Sequence, residues 1–227
     1  MKTNQKERIP VIAGGKRIRA KKDFLDYFKP SIGREEIAEV VDTLKSNWIT
    51  TGPKTRKFTE QFENYTGAKH ALAVNSCTAG LHLSLVASGV GRGDEVITTP
   101  FTFVATANVV MHVGAKPVFV DIQKDTYNID PEKIEQAITK RTKAIIPVHY
   151  AGHPCDMDEI LRIAKKHKLV VIEDAAHAVG ALYRGKKVGT IGDFTSFSFY
   201  ATKNMTTAEG GMVTTKEKKS AEYVEAL

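Results

Sequence analysis

From about residue 68 onward, short apolar runs alternate with longer amphipathic stretches, and this alternation limits the folds open to the chain. Seven runs have the length and the β-branched, aromatic character of strands. They are His70–Asn75, Glu95–Thr99, Pro117–Asp121, Lys143–Val148, Leu169–Asp174, Phe194–Phe199 and Gly211–Thr215. Helical spacing falls between most of them, near 78–89, 103–113, 131–139 and 156–167. Strands separated by helices argue for an α/β fold, with a mainly parallel seven-stranded sheet and helices on both faces. Its crossovers should be right-handed.

Two helices are expected before the first strand. One begins near Ile32 and carries Ile37, Val40, Val41 and Leu44 on one stripe. Trp48–Pro53 breaks it, because Gly52 and Pro53 punctuate. The second carries Phe58, Phe62 and Tyr65. Lys216–Leu227 reads as the start of another helix.

Charge is placed unevenly. The chain carries +7, yet residues 1–30 hold nine Lys or Arg against three acids, a net of +6. The high pI therefore describes an N-terminal segment, read as a flexible basic arm over 1–29, and not a basic folded face. A nucleic-acid binder would array its basic residues with aromatics or along a recognition helix, so none is expected. The two cysteines, Cys77 and Cys155, have no zinc spacing and fit a reducing, cytoplasmic setting. No apolar run is long enough for a membrane span.

Ligands of parallel sheets sit at the carboxyl ends of the strands, and three segments bring polar residues there. Asn75–Gly80 runs from a strand into a helix start, where free N–H groups attract phosphate. Ser76 or Thr78 could equally serve only as the helix cap. Val170–His177 delivers Glu173 and Asp174 into a turn. A carboxylate there can keep a pyridine nitrogen protonated, or can simply cap the turn. Ser196–Asn204 ends in Lys203 among small and hydroxyl residues. Such an amine can form a Schiff base, although most lysines are merely solvated. The chain order of the three makes a site with a phosphate end, a ring-nitrogen partner and an amine.

Rival motifs are weaker. Gly89–Gly93 follows a helix, which is the wrong context for a dinucleotide-binding turn. Gly180–Lys186 has P-loop spacing but is followed by Lys187, and it reads as a hairpin. His149 and His153 have no carboxylate cluster to complete a metal site, so no metal is expected.

The chain resembles the DegT/DnrJ/EryC1/StrS family, the pyridoxal-phosphate (PLP) aminotransferases of nucleotide-linked keto-sugars. The segments that carry the resemblance are Trp48–Pro53, Asn75–Leu81, Gly93–Thr99, Pro100–Ala107, Pro147–Met157, Glu173–Gly180 and Phe197–Val213. The resemblance implies fold type I, with PLP held in a homodimer. It implies that Lys203 is the Schiff-base lysine and Asp174 the partner of the pyridine nitrogen. Phe103 matches the aromatic that stacks on the ring. Thr78, Ala79 and Ser198 match phosphate-binding positions, and His177 lies near the ring hydroxyl. The substrates implied are an amino-acid donor, glutamate above all, and a nucleotide-linked keto-sugar. Because Lys203 is a lysine and not a histidine, transamination is favoured over dehydration. The family also has a C-terminal small domain, absent from this chain. Residues 30–227 would then be a PLP-binding large domain that stops after the seventh strand. The alternative is a truncated, inactive PLP-binding or partner-dependent chain.

Overall fold

A computed structural model describes residues 28–227. The chain divides into two units, Met1–Ser31 and Ile32–Leu227. Among the described residues, every helix and strand lies in the second. The basic arm expected over 1–29 lies, but for its last two residues, outside the described residues.

Helix α1 (Arg34–Lys45) and helix α2 (Pro53–Thr66) come first. Pro53 opens α2, where a missing N–H costs nothing, and Gly67 closes it in the left-handed conformation at φ 81°. Strand β1 (His70–Val74), α3 (Cys77–Ala87), β2 (Glu95–Thr98), α4 (Ala105–His112) and β3 (Lys116–Phe119) follow in alternation. Then come α5 (Pro131–Ala137), β4 (Thr142–Ile145), α6 (Met157–His167) and β5 (Val170–Asp174). A small hairpin of β6 (Leu182–Tyr183) and β7 (Lys186–Lys187) precedes β8 (Phe194–Ser198), β9 (Gly211–Thr215) and α7 (Lys218–Ala226).

The main sheet has seven strands in the order β1-β9-β8-β5-β4-β2-β3. Strand β9 runs antiparallel to both β1 and β8, and every other neighbouring pair is parallel. This is the mainly parallel sheet the alternating pattern implies. The pleat sends successive side chains to opposite faces. Ile97, Ile145, Val171 and Met212 enter one core with Phe62 of α2 and Ile160 and Ile163 of α6. Their neighbours Val96, Ala144, Ile172 and Val213 enter a second core with Leu81 and Leu85 of α3, Val109 of α4 and Val224 of α7. Two cores on two faces explain why these strands are apolar along their whole length.

The strands are shorter than the apolar runs that announce them. The ladder of β4 stops at Ile145, and Val148 makes only an isolated bridge to Asp174. Pro147 lies between them and has no N–H to give. The 180–186 segment is a hairpin, as its sequence suggests. Arg184 and Gly185 at its tip both have positive φ, 48° and 79°, which suits a two-residue hairpin turn.

Helix α1 is different from the rest. None of its residues is buried. Ile37, Val40, Val41 and Leu44 are each more than 40% exposed. The helix is tied to α2 by Lys54, which pairs with Glu39 and with Asp42, the latter at 2.9 Å.

Candidate active site

Strand β5 ends in two acids, and the pleat gives them different surroundings. Asp174 is buried. Its Oδ2 accepts the Thr106 hydroxyl at 2.8 Å, and its Oδ1 accepts the Ala176 N–H at 3.2 Å. The Cys77 thiol lies 3.8 Å from Oδ1. The backbone is fixed as well: the Asp174 N–H donates to Pro147 C=O at 2.9 Å, and Asp174 C=O accepts the His149 N–H at 3.1 Å. Among the described residues no cation pairs with this carboxylate. A buried acid oriented by neutral donors alone retains the capacity to hold a positive group.

Glu173 is fully buried on the other side of the strand. Its Oε1 accepts the Gly192 N–H and the Thr195 hydroxyl, both at 2.7 Å. Its Oε2 lies 2.9 Å from His149 Nε2. His149 Nδ1 accepts the Cys155 N–H at 3.1 Å, so the ring proton sits on Nε2 and is donated to Glu173. Burial alone would push the Glu173 carboxyl up; the His149, Thr195 and Gly192 donors outweigh it and hold the group below its ordinary value. This network ties the end of β5 to the segment after β4 through His149 and to β8 through Thr195. Glu173→Ala would leave three buried donors without an acceptor and should cost about 3–5 kcal/mol. The stabilising share due to the depressed carboxyl is present above the ordinary glutamate range. It is lost as pH falls through the folded-state value. Urea unfolding of the wild type and of Glu173→Gln across pH 3–7 checks this, with a weaker acid dependence expected in the variant.

The β1–α3 turn faces the same edge of the sheet. Ser76 caps α3, its Oγ accepting the Ala79 N–H at 3.1 Å. The N–H groups of Cys77 and Thr78 find no acceptor among the described residues, so the helix end presents free donors. Gly211 at the start of β9 lets the turn come close. A Cβ there would lie 2.6 Å from the Ser76 carbonyl carbon and 2.7 Å from the Cys77 nitrogen. Gly211 pairs with Ser198, which brings that buried serine to the same corner. Burial, and then the Asp174 charge, raise the Cys77 thiol well above its ordinary value, so it stays protonated.

Lys203 sits in the turn after β8, partly buried, with its N–H donating to Tyr200 C=O at 2.9 Å. Asn204 anchors that turn by donating to Val179 C=O at 2.9 Å. The Lys203 ammonium acts on two site residues. It opposes the rise of the Cys77 thiol, and after burial it is the next cause of the lowered His177 value. His177 lies in the turn that opens at Ala175, and although part of the residue meets solvent its ring is covered enough for burial to act on it first. Phe103 lies in the loop before α4 and is 77% exposed.

The DegT/DnrJ/EryC1/StrS aminotransferase family model matches residues 30–227. The chain belongs to this family. Two curated relatives are SpsC of Bacillus subtilis, a spore coat polysaccharide biosynthesis protein, and the uncharacterized protein MJ1066 of Methanocaldococcus jannaschii. They are 55% identical over 92% and 69% identical over 91% of this chain. In both cases the chain spans 54% of the relative. Among solved structures, Spr1654 of Streptococcus pneumoniae, described as a sugar aminotransferase, is 43% identical with a TM-score of 0.86. The match covers 89% of this chain and 57% of that one, and the structure is known in PLP and PMP forms. DesI, solved in the presence of its TDP-sugar product, is 38% identical with a TM-score of 0.85, over 94% of this chain and 54% of its own. Family members of this kind thus share the sheet and helices described above, and this chain spans about half of each.

Of the sequence-derived residues, Thr78 and Ala79 lie in the first turn of α3 after β1, and Asp174, His177, Ser198 and Lys203 lie at the ends of β5 and β8 or in the turns that follow them. Phe103 joins them through Thr106, whose N–H donates to its carbonyl at 3.1 Å. Spacing did not reveal Thr106, Cys77 or His149 as parts of the site. Thr106 and Cys77 do lie inside the PFTFVATA and NSCTAGL segments, which was the available signal.

Proposed function

We propose that the protein is a PLP-dependent aminotransferase that moves an amino group from an amino acid, glutamate by preference, to a nucleotide-linked keto-sugar in polysaccharide or glycan synthesis. One observation carries the reading: the buried Asp174 carboxylate, held by Thr106 and Ala176 but paired with no cation among the described residues, faces the same sheet edge as a free helix end and Lys203. That donor set suits a protonated pyridine with a phosphate and an aldehyde. The SpsC and DesI matches support the sugar and nucleotide parts of the proposal.

In this reading Asp174 holds the ring nitrogen in its protonated form. The Cys77 and Thr78 N–H groups, Ala79 and Ser198 hold the phosphate. Phe103 covers one face of the ring, and His177 stands near its hydroxyl. Lys203 binds the aldehyde through its amine. When bound, PLP supplies an electron sink for the carbanion formed at the α-carbon of the donor. Lys203 would take the proton from that carbon as base and later return it as acid. The chemistry would run in the cytoplasm, in a homodimer; the two free cysteines, both buried, suit a reducing compartment.

The test supplies 15N-glutamate, PLP and a TDP-linked keto-sugar, and follows label by mass spectrometry. Labelled amino-sugar nucleotide is expected; its absence, with 2-oxoglutarate also absent, counts against the reading. A second reading is a chain that binds PLP but needs another polypeptide for turnover. The uncovered apolar stripe of α1 favours it. It would show as bound PLP without label transfer.

A further inference from the structure

Thr106 sits in the first turn of α4 and is fully buried. Its Oγ1 touches three polar atoms: Asp174 Oδ2 at 2.8 Å, Thr102 Oγ1 at 2.7 Å and Phe103 C=O at 3.1 Å. A hydroxyl has one proton to give. An ionised carboxylate only accepts, and it is the shorter and stronger of the two acceptors. The Thr106 proton therefore goes to Asp174, and Thr102 donates to Thr106. The backbone N–H of Thr106 independently holds Phe103 C=O at 3.1 Å. One side chain thus joins the carboxylate at the end of β5 to the Phe101–Val104 loop, across 68 positions of sequence.

The junction is specific. Val104, at the start of α4, provides no side-chain cap. Thr106 does not serve as a helix cap either, because its hydroxyl is directed out of the helix to another strand. The remaining donors on Asp174, the Ala176 N–H at 3.2 Å and the Cys77 thiol at 3.8 Å, both act on Oδ1. Among the described residues, Thr106 is the hydrogen-bond donor to Oδ2.

We propose that Thr106 is a positioning residue for the cofactor ring. It sets the angle at which Asp174 meets the ring nitrogen, and it couples that angle to the loop carrying Phe103. The inference rests on the PLP reading given above. Without the hydroxyl the carboxylate loses its stronger neutral donor, rotates about its own side chain, and is no longer tied to the loop. The ring nitrogen then has a less well-aligned partner and holds its proton less well.

The test uses the full 227-residue chain with PLP labelled with 15N at the ring nitrogen. The variants are Thr106→Val, which keeps the shape, and Thr106→Ser, which keeps the hydroxyl. The readouts are the 15N chemical shift of the bound ring and the PLP Kd from an absorbance titration. Thr106→Val is expected to move the resonance towards the unprotonated position and to weaken Kd about tenfold, the loss of one hydrogen bond to a charged group. Thr106→Ser is expected to match the wild type in both. A Thr106→Val protein with the wild-type shift and Kd overturns the proposal. Circular dichroism monitors folding; if the valine variant unfolds, Thr106→Ala replaces it, and equal values for Ala and Ser overturn the proposal. A wild type that binds no PLP overturns both this inference and the PLP reading. A wild type that binds PLP while Thr106→Val behaves identically overturns this inference alone.

Discussion

Lys203→Ala should lower amine transfer from glutamate by about 10^4-fold, the upper range of what a positioned general acid–base supplies. Two functions are lost in one substitution. On the proposed reading the amine that binds the aldehyde is gone, and so is the group that moves the proton at the donor carbon. The fold should survive, because the backbone N–H of Lys203, and not its side chain, makes the bond to Tyr200 that shapes the turn. Asn204 still anchors the turn to Val179. Lys203→Arg is the control. It keeps the positive charge that acts on Cys77 and His177, but arginine stays protonated and cannot act as the base. Both variants are expected to be inactive in 2-oxoglutarate release. They differ at His177: in the alanine variant one cause of its lowered value is removed, so its titration, read by NMR, should move upward. Activity of the arginine variant near that of the wild type would show that charge, and not the amine, is what matters there.

Asp174→Ala should lower the same transfer by about 10^2- to 10^3-fold, the loss met when a preorganised electrostatic partner of the reacting charge is removed. Lys203 is untouched, so the chain should still be modified by PLP and borohydride. The expected defect is in formation of the carbanion, which depends on a protonated ring nitrogen. A smaller stability cost accompanies it, since the Thr106 hydroxyl and the Ala176 N–H lose their acceptor. Exchange of the glutamate α-deuteron with solvent reports the step directly. Wild-type exchange in the variant would remove Asp174 from the chemistry.

Much of this architecture is legible in the residues. Apolar runs such as Val170–Asp174 mark strands because both faces of the sheet are covered, and α-helical spacing between them leaves little choice of layer order. The order of the turns after β1, β5 and β8 then brings Thr78, Asp174 and Lys203 to one edge. Strand ends were harder. Lys143–Val148 is apolar after its first residue, yet the missing N–H of Pro147 leaves Val148 with one bridge. Helix 103–113 begins in fact at Ala105, because Phe103 uses its carbonyl to accept from Thr106 and leaves its ring in the open. The division of labour between Glu173 and Asp174 is a consequence of the pleat, and adjacent acids look alike in a string of letters. The Thr106–Asp174 and His149–Glu173 bonds join residues 68 and 24 positions apart, and no local spacing encodes such pairs.

Lys203 is proposed as the amine that holds PLP. The direct measurement is to add PLP to the purified 227-residue chain, reduce with borohydride, and map the modified peptide by mass spectrometry. The expected result is a visible absorbance band that disappears on reduction, with the pyridoxyl mass on Lys203 and absent from the Lys203→Ala chain. A stable adduct on another lysine, or no adduct while the chain remains folded, would contradict the account.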